Sequence, residues 1–99
     1  MKLPEKMLRI LYDNTHSLRK DLQDIKQQKK YAEKVKNSVE QFASHYPQTL
    51  GDIKKLEPKQ KNIFRLRVWF YRVIFSIDTG NQIMIVHRIL QRKDAYDDF

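Results

Sequence analysis

The chain reads as an α+β fold, a two-helix hairpin packed on a curved antiparallel sheet of three to five strands. Three observations predict it. Apolar residues between Leu18 and Tyr46 recur at helical spacing, and from Leu50 onward the period falls to two. Pro47 divides the two regimes, because the residue ahead of a proline is pushed out of the α region. A length of 99 residues leaves room for one small domain over 1–99, with the hairpin at 15–46, the sheet at 53–90 and a tail at 91–99.

The elements follow in order. Leu8 to Tyr12 (LRILY) is apolar and suits either a short strand or the first turns of a helix. Asp13, Asn14 and Thr15 form a break rich in capping residues, each able to accept hydrogen bonds from the free N–H groups of a helix start. Leu18, Leu22 and Ile25 then mark one helical face ending near Gln28. Tyr31, Val35, Val39, Phe42 and Tyr46 mark a second, with Lys29, Lys30, Lys34, Lys36 and Glu40 opposite. The pattern fits a bend at Gln27–Lys30 and one continuous helix equally well.

Beyond Pro47, Ile53–Leu56 (IKKL) has the composition of a short edge strand, and Pro58 to Asn62 that of a polar loop. Phe64, Leu66 and Val68 alternate with Arg65 and Arg67, so both arginines fall on the face away from the apolar residues. Tyr71, Val73, Phe75 and Ile77 alternate in the same way with Arg72, Ile74 and Ser76. Asp78-Thr79-Gly80-Asn81 supplies a hairpin turn in which Gly80 and Asn81 tolerate positive φ. In the last strand, Gln82 to Leu90, alternation places Ile83, Ile85, His87 and Ile89 on one side and Met84, Val86, Arg88 and Leu90 on the other. Apolar residues on both sides suit a covered, central strand.

Composition narrows the function. Net charge is +8, which favours nucleic acid, an acidic protein or an anionic membrane face as partner. Every apolar run is short and interrupted by Lys or Arg, far below the roughly 20 residues a membrane span needs, and the first residues lack the apolar core of a secretory signal. With no cysteine there is no disulfide, thiol nucleophile or Cys-ligated metal, and His16, His45 and His87 lack zinc-like spacing. A cytoplasmic protein without metal or cofactor is the expectation. Between Lys61 and Lys93 the only acid is Asp78, in a turn, whereas Arg65, Arg67, Arg72, Arg88 and Arg92 all lie along or just after the strands. Such a sheet is suited to a polyanion. Arg88 is the least secure of the set, since its face depends on register and it has Asp78 or a terminal carboxylate as a potential partner. His87 reads as a satisfied core or groove histidine, and Trp69 and Phe70 suit core, base stacking or protein contact.

IKKL, FRLRV, YRVIFSID, IMIVHRIL and RKDAYDDF, in that order from Ile53 to Phe99, resemble the RelE/ParE toxin superfamily in its RelE-like branch. That branch reads KKLxG, YRLRVGDYRVIY, a turn, a strand and HRKxxY. Three departures stand out: Trp69-Phe70 replaces Gly-Asp or Gly-Asn between the two arginine strands, Gln91 replaces a His, and Glu57-Pro58 replaces the Gly after KKL.

The resemblance implies the toxin of a type II toxin–antitoxin pair, a ribosome-dependent endoribonuclease that cuts mRNA in the decoding site. It implies a cognate antitoxin, acidic and partly disordered, with operator DNA bound only through the toxin–antitoxin complex. Carried over residue by residue, the catalytic set is Arg65, Arg67, Arg72, Arg92 and Tyr96. Lys54, Lys55, Arg88 and Lys93 are the RNA- and ribosome-binding set. The chemistry suits these residue types without a metal. RNA cleavage through its own ribose needs the 2′-OH deprotonated, the phosphorane charge stabilised and the 5′ oxygen protonated. Guanidinium groups meet the second need, being planar, permanently charged and bidentate. With Gln91 in place of His, Lys54, Lys55, Tyr96 and the ribosome remain open as sources of the general acid or base. The competing expectations are a ParE-like gyrase inhibitor and a catalytically weakened basic binding module of the same fold.

Overall fold

The computed structural model describes residues 7–56 and 63–91. The order is β1 (Arg9–Tyr12), α1 (His16–Lys26), α2 (Lys29–His45), β2 (Asp52–Lys55), β3 (Ile63–Val68), β4 (Tyr71–Asp78) and β5 (Ile83–Gln91). The Leu8–Tyr12 stretch therefore resolves as a strand over Arg9–Tyr12, and the chain does bend between the helices at Gln27 and Gln28. The second strand lies one residue earlier than IKKL suggested.

Local chemistry accounts for the helix ends. Thr15, in extended conformation, accepts a hydrogen bond on Oγ1 from the Leu18 N–H at 3.2 Å and starts α1. Gln28 lends only its carbonyl to α2, accepting from the N–H groups of Tyr31 and Ala32, both at 2.9 Å. Tyr46, ahead of Pro47, takes an extended ψ of 137° and ends α2.

The sheet order is β1-β5-β4-β3-β2. The four later strands form an antiparallel run, and β1 joins at the edge parallel to β5, pairing Arg9–Tyr12 with Ile83–Val86. Both helices lie on one face. Leu18 and Ile25 from α1, and Val35, Val39, Phe42 and Ala43 from α2, are buried against Leu66, Val68, Val73, Phe75, Met84 and Val86. Phe75 sits at the middle, edge-on to Phe42 at 5.0 Å between ring centres and stacked on Phe64 at 5.6 Å. Gly51, at φ 99°, lies so close to this core that an added Cβ would stand 2.9 Å from Leu66 Cδ1.

Two expectations about β5 and its turn are corrected. Ile74 pairs with Arg88 but Phe75 pairs with Val86, so His87 is an extra residue in a β-bulge. The bulge reverses the alternation. Met84, Val86 and Ile89 share the helix side, whereas Ile83, Ile85, Arg88 and Leu90 share the other, so Ile89 does not face with Ile83 and Ile85. At the turn, positive φ falls on Gln82 (57°) and not on Gly80 or Asn81. Asp78 holds the turn by accepting from the Asn81 N–H at 3.1 Å and from its side-chain amide at 2.8 Å. These bonds stabilise the carboxylate and lower its pKa below the usual aspartate value.

Candidate functional site

The face of the sheet away from the helices carries the arginines. Alternation along β3 sends Arg65 and Arg67 to it, and alternation along β4 sends Arg72. The register then makes Arg67 and Arg72 direct cross-strand partners, with Arg65 opposite Ile74 and Lys54 of β2 opposite Arg65. Like charges placed directly opposite each other destabilise an antiparallel pair. Arg72 is also only 5% exposed, the one buried charged residue among those described, and withdrawing a guanidinium from water is costly. Taken by itself, the opposition of the two like charges is thus unfavourable for the strand pair.

Neighbouring groups offset this in part. Arg65 Nη2 donates to Asp52 Oδ1 at 3.3 Å, and Asp52 lies across from Arg67. Arg65 Nε is buried without a hydrogen-bond partner among the described residues. On the same face, Ile74 and Leu90 form a small buried apolar cluster with Leu56 and Ile63 packed on it, with Ile74 opposite Arg65 and Leu90 opposite Arg72. Electrostatic interactions strengthen where water is excluded in this way.

The other proposed residues separate. Lys54 shares the arginine face, whereas Lys55, opposite Phe64, lies on the other side of β2. Arg88 begins on the arginine face, but its Nε and Nη2 donate to the two carboxylate oxygens of Asp21 at 2.7 and 3.2 Å. Asp21, only 10% exposed, also accepts from the Ile89 N–H at 3.0 Å, where β5 runs on beyond the end of β1. Arg88 therefore pairs with Asp21 of α1. Arg92, Lys93 and Tyr96 lie outside the described residues.

Sequence reading missed Asp21, whose partners are some 67 positions away. It also missed a relay at the bulge. His87 Nε2 is 2.8 Å from Ser76 Oγ, and its Nδ1 is 3.0 Å from Asp13 Oδ2, while the Asp13 N–H donates to Val86 O. His87 is thus a satisfied groove histidine that pins the end of β1 to the bulge. No spacing rule flags it, because Ser76 reaches His87 across the β4–β5 bulge and Asp13 reaches it only through the parallel β1–β5 pairing.

Two helices on one side of a five-stranded sheet, with arginines on the other, define a small basic α+β domain of the toxin type, and comparison identifies the family. The family described as "ParE toxin of type II toxin-antitoxin system, parDE" matches residues 12–96. The chain belongs to the RelE/ParE toxin superfamily and is the toxin of a type II toxin–antitoxin system. No curated protein matches it. Among solved structures it is similar to a chain of the RelB–RelE antitoxin–toxin complex of Methanococcus jannaschii. That pair has 29% identity, coverage of 90% of this chain and 98% of the other, and a TM-score of 0.54. It is similar too to a chain of the archaeal RelE–RelB complex of Pyrococcus horikoshii, at 21% identity, 87% and 96% coverage and a TM-score of 0.66. The YoeB–YefM complex of Staphylococcus aureus shares the fold at 15% identity, 83% and 93% coverage and a TM-score of 0.63.

Proposed function

We propose that the arginine face is the active site of a cytoplasmic, ribosome-dependent endoribonuclease that cleaves mRNA, held inactive by a cognate acidic antitoxin. The observation that carries this reading is the direct opposition of Arg67 and Arg72, with Arg65 one step away along β3. Three guanidinium groups on one face, next to a buried apolar cluster, suit a phosphodiester that gains negative charge during reaction. In the proposed step the ribose 2′ oxygen attacks phosphorus and the bond to the 5′ oxygen breaks. The products are a cyclic phosphate and a free 5′ hydroxyl, and no metal is required. Each well-placed donor contributes on the order of 3–4 kcal/mol to such a transition state.

In this reading Lys54, on the same face, approaches a neighbouring phosphate, and Lys55 meets ribosomal RNA from the other side of β2. Arg92, Tyr96 and Lys93 complete the site from the tail, by resemblance. Arg88, committed to Asp21, holds α1 to β5 and contributes field more than contact. The neighbours are toxin–antitoxin complexes, which supports an antitoxin as partner. Operator DNA is then met only through that complex.

The test is cleavage of message on translating ribosomes by the purified chain, mapped by primer extension, against Arg72→Ala. A second reading, gyrase inhibition, is favoured by the ParE description of the matching family. Loss of supercoiling activity with RNA left whole would establish that reading and remove the nuclease. Binding of RNA without product in either assay identifies a weakened binding module.

A further inference from the structure

The turn between β3 and β4 is built against its own backbone preference. Trp69 occupies the left-handed region at φ 58°, where a side chain is strained and glycine is favoured. Strain of this kind persists where the surroundings or a function hold it in place. The turn gains little burial in return, since Trp69 is 58% and Phe70 57% exposed. The two rings are nevertheless held in position. Tyr31 of α2 lies 6.5 Å from Trp69, 5.9 Å from Phe70 and 5.9 Å from Tyr71, centre to centre. The Lys34 ammonium sits 4.6 Å over the indole.

The location of this tip narrows what it can meet. Val68 and Tyr71 are the last pair before the turn, and Arg67 and Arg72 are the pair before that. Two exposed aromatic rings therefore stand two residues beyond the opposed arginine pair on either strand, with the Lys34 ammonium of α2 at their side. Aromatic faces interleaved with cations suit unpaired nucleotides, whose bases stack while their phosphates meet the charges. An acidic peptide would satisfy the charges equally well, but it would have no need of two flat rings presented at a strained tip.

We propose that Trp69 and Phe70, backed by Tyr31 and edged by Lys34, form a stacking platform for unpaired bases of an RNA strand whose phosphates reach the half-buried Arg67. This deepens the nuclease reading and rests on it for the course of the strand. Stacking is tolerant of sequence, so the platform adds affinity for a single strand without choosing a codon.

Trp69 is the only tryptophan in the chain, so its emission reports on the tip directly. The full-length protein is titrated with an unstructured oligoadenylate and, separately, with inorganic polyphosphate, which carries the charge but no base. Oligoadenylate is expected to quench Trp69, and polyphosphate to compete for the arginines without quenching. Trp69→Gly relieves the left-handed backbone, so its melting temperature should stay within a few degrees of the parent. Its oligoadenylate affinity should nevertheless fall on the order of tenfold. Trp69→Phe should keep most of that affinity. Unchanged binding by Trp69→Gly, or oligoadenylate binding that depends on Arg67 but leaves the emission unaltered, overturns the platform while the arginine face stands. An absence of any RNA binding removes both. Emission that responds to polyglutamate and not to oligoadenylate assigns the tip to a protein partner and overturns the proposal.

Discussion

The two faces of this sheet are made from the same strands by opposite rules. Toward the helices, Leu66, Val73, Phe75, Met84 and Val86 are wholly or almost wholly buried among aliphatic and aromatic neighbours. Away from them, Arg65, Arg67 and Arg72 are gathered where a sheet built only for stability would place unlike charges or threonines. Alternation forces the two faces to coexist, since every second residue of β3 and β4 belongs to each. The buried core and the arginine face are thus written on interleaved positions, and adjacent residues should respond to substitution in different ways.

The largest expected effect is on the helix side. Phe75→Ala should cost about 3–5 kcal/mol, because it removes the ring against which both Phe42 and Phe64 pack. Chemical denaturation should show fold and activity lost together. Arg72→Ala should instead lower cleavage per folded molecule by about 100- to 1000-fold, with a native far-UV spectrum. If both variants fail in the same way, the separation between the faces is wrong. A smaller effect tests the border between them. Asp21→Ala removes the carboxylate to which Arg88 and the Ile89 N–H donate, and should cost about 2 kcal/mol of stability with cleavage per folded molecule nearly unchanged. The smallest effect is alkaline. Burial, and secondarily the nearby Glu40, raise the Tyr12 pKa above its ordinary value. The folded state therefore holds that proton more tightly than the unfolded chain does, so the associated stability is complete below about pH 10 and is lost as pH rises further. Tyr12→Phe should flatten that part of the melting-temperature curve.

Much of this contrast was legible before any coordinates. Tyr31 to Tyr46 carries so regular a stripe that α2 follows from spacing, and the alternation in FRLRV places Arg65 and Arg67 opposite Leu66 on inspection. The direct opposition of Arg67 and Arg72 needed the turn to be two residues long, and Trp69-Phe70 is not a dipeptide that announces such a turn. The bulge at His87 was hidden because β5 is apolar on both faces, so a slip of one residue leaves no mark on the hydropathy pattern. Asp21 looked like an ordinary polar helix position. Its meeting with Arg88 depends on how α1 lies across β5, which no local rule encodes.

The parallel junction of β1 with β5 has a consequence for how the molecule is made. β5 is the last of the five strands to be synthesised, yet it lies inside the sheet, bonded to β4 on one flank and to the first-made strand on the other. While the nascent polypeptide is shorter than this, β1 and the β2–β4 meander have nothing to join them, and the helices have only part of a floor to rest on. Contacts spanning so much of the chain close late and slowly. Assembly of the sheet is therefore gated by elongation, because β1 and the β2–β4 meander are joined only once β5 has been made.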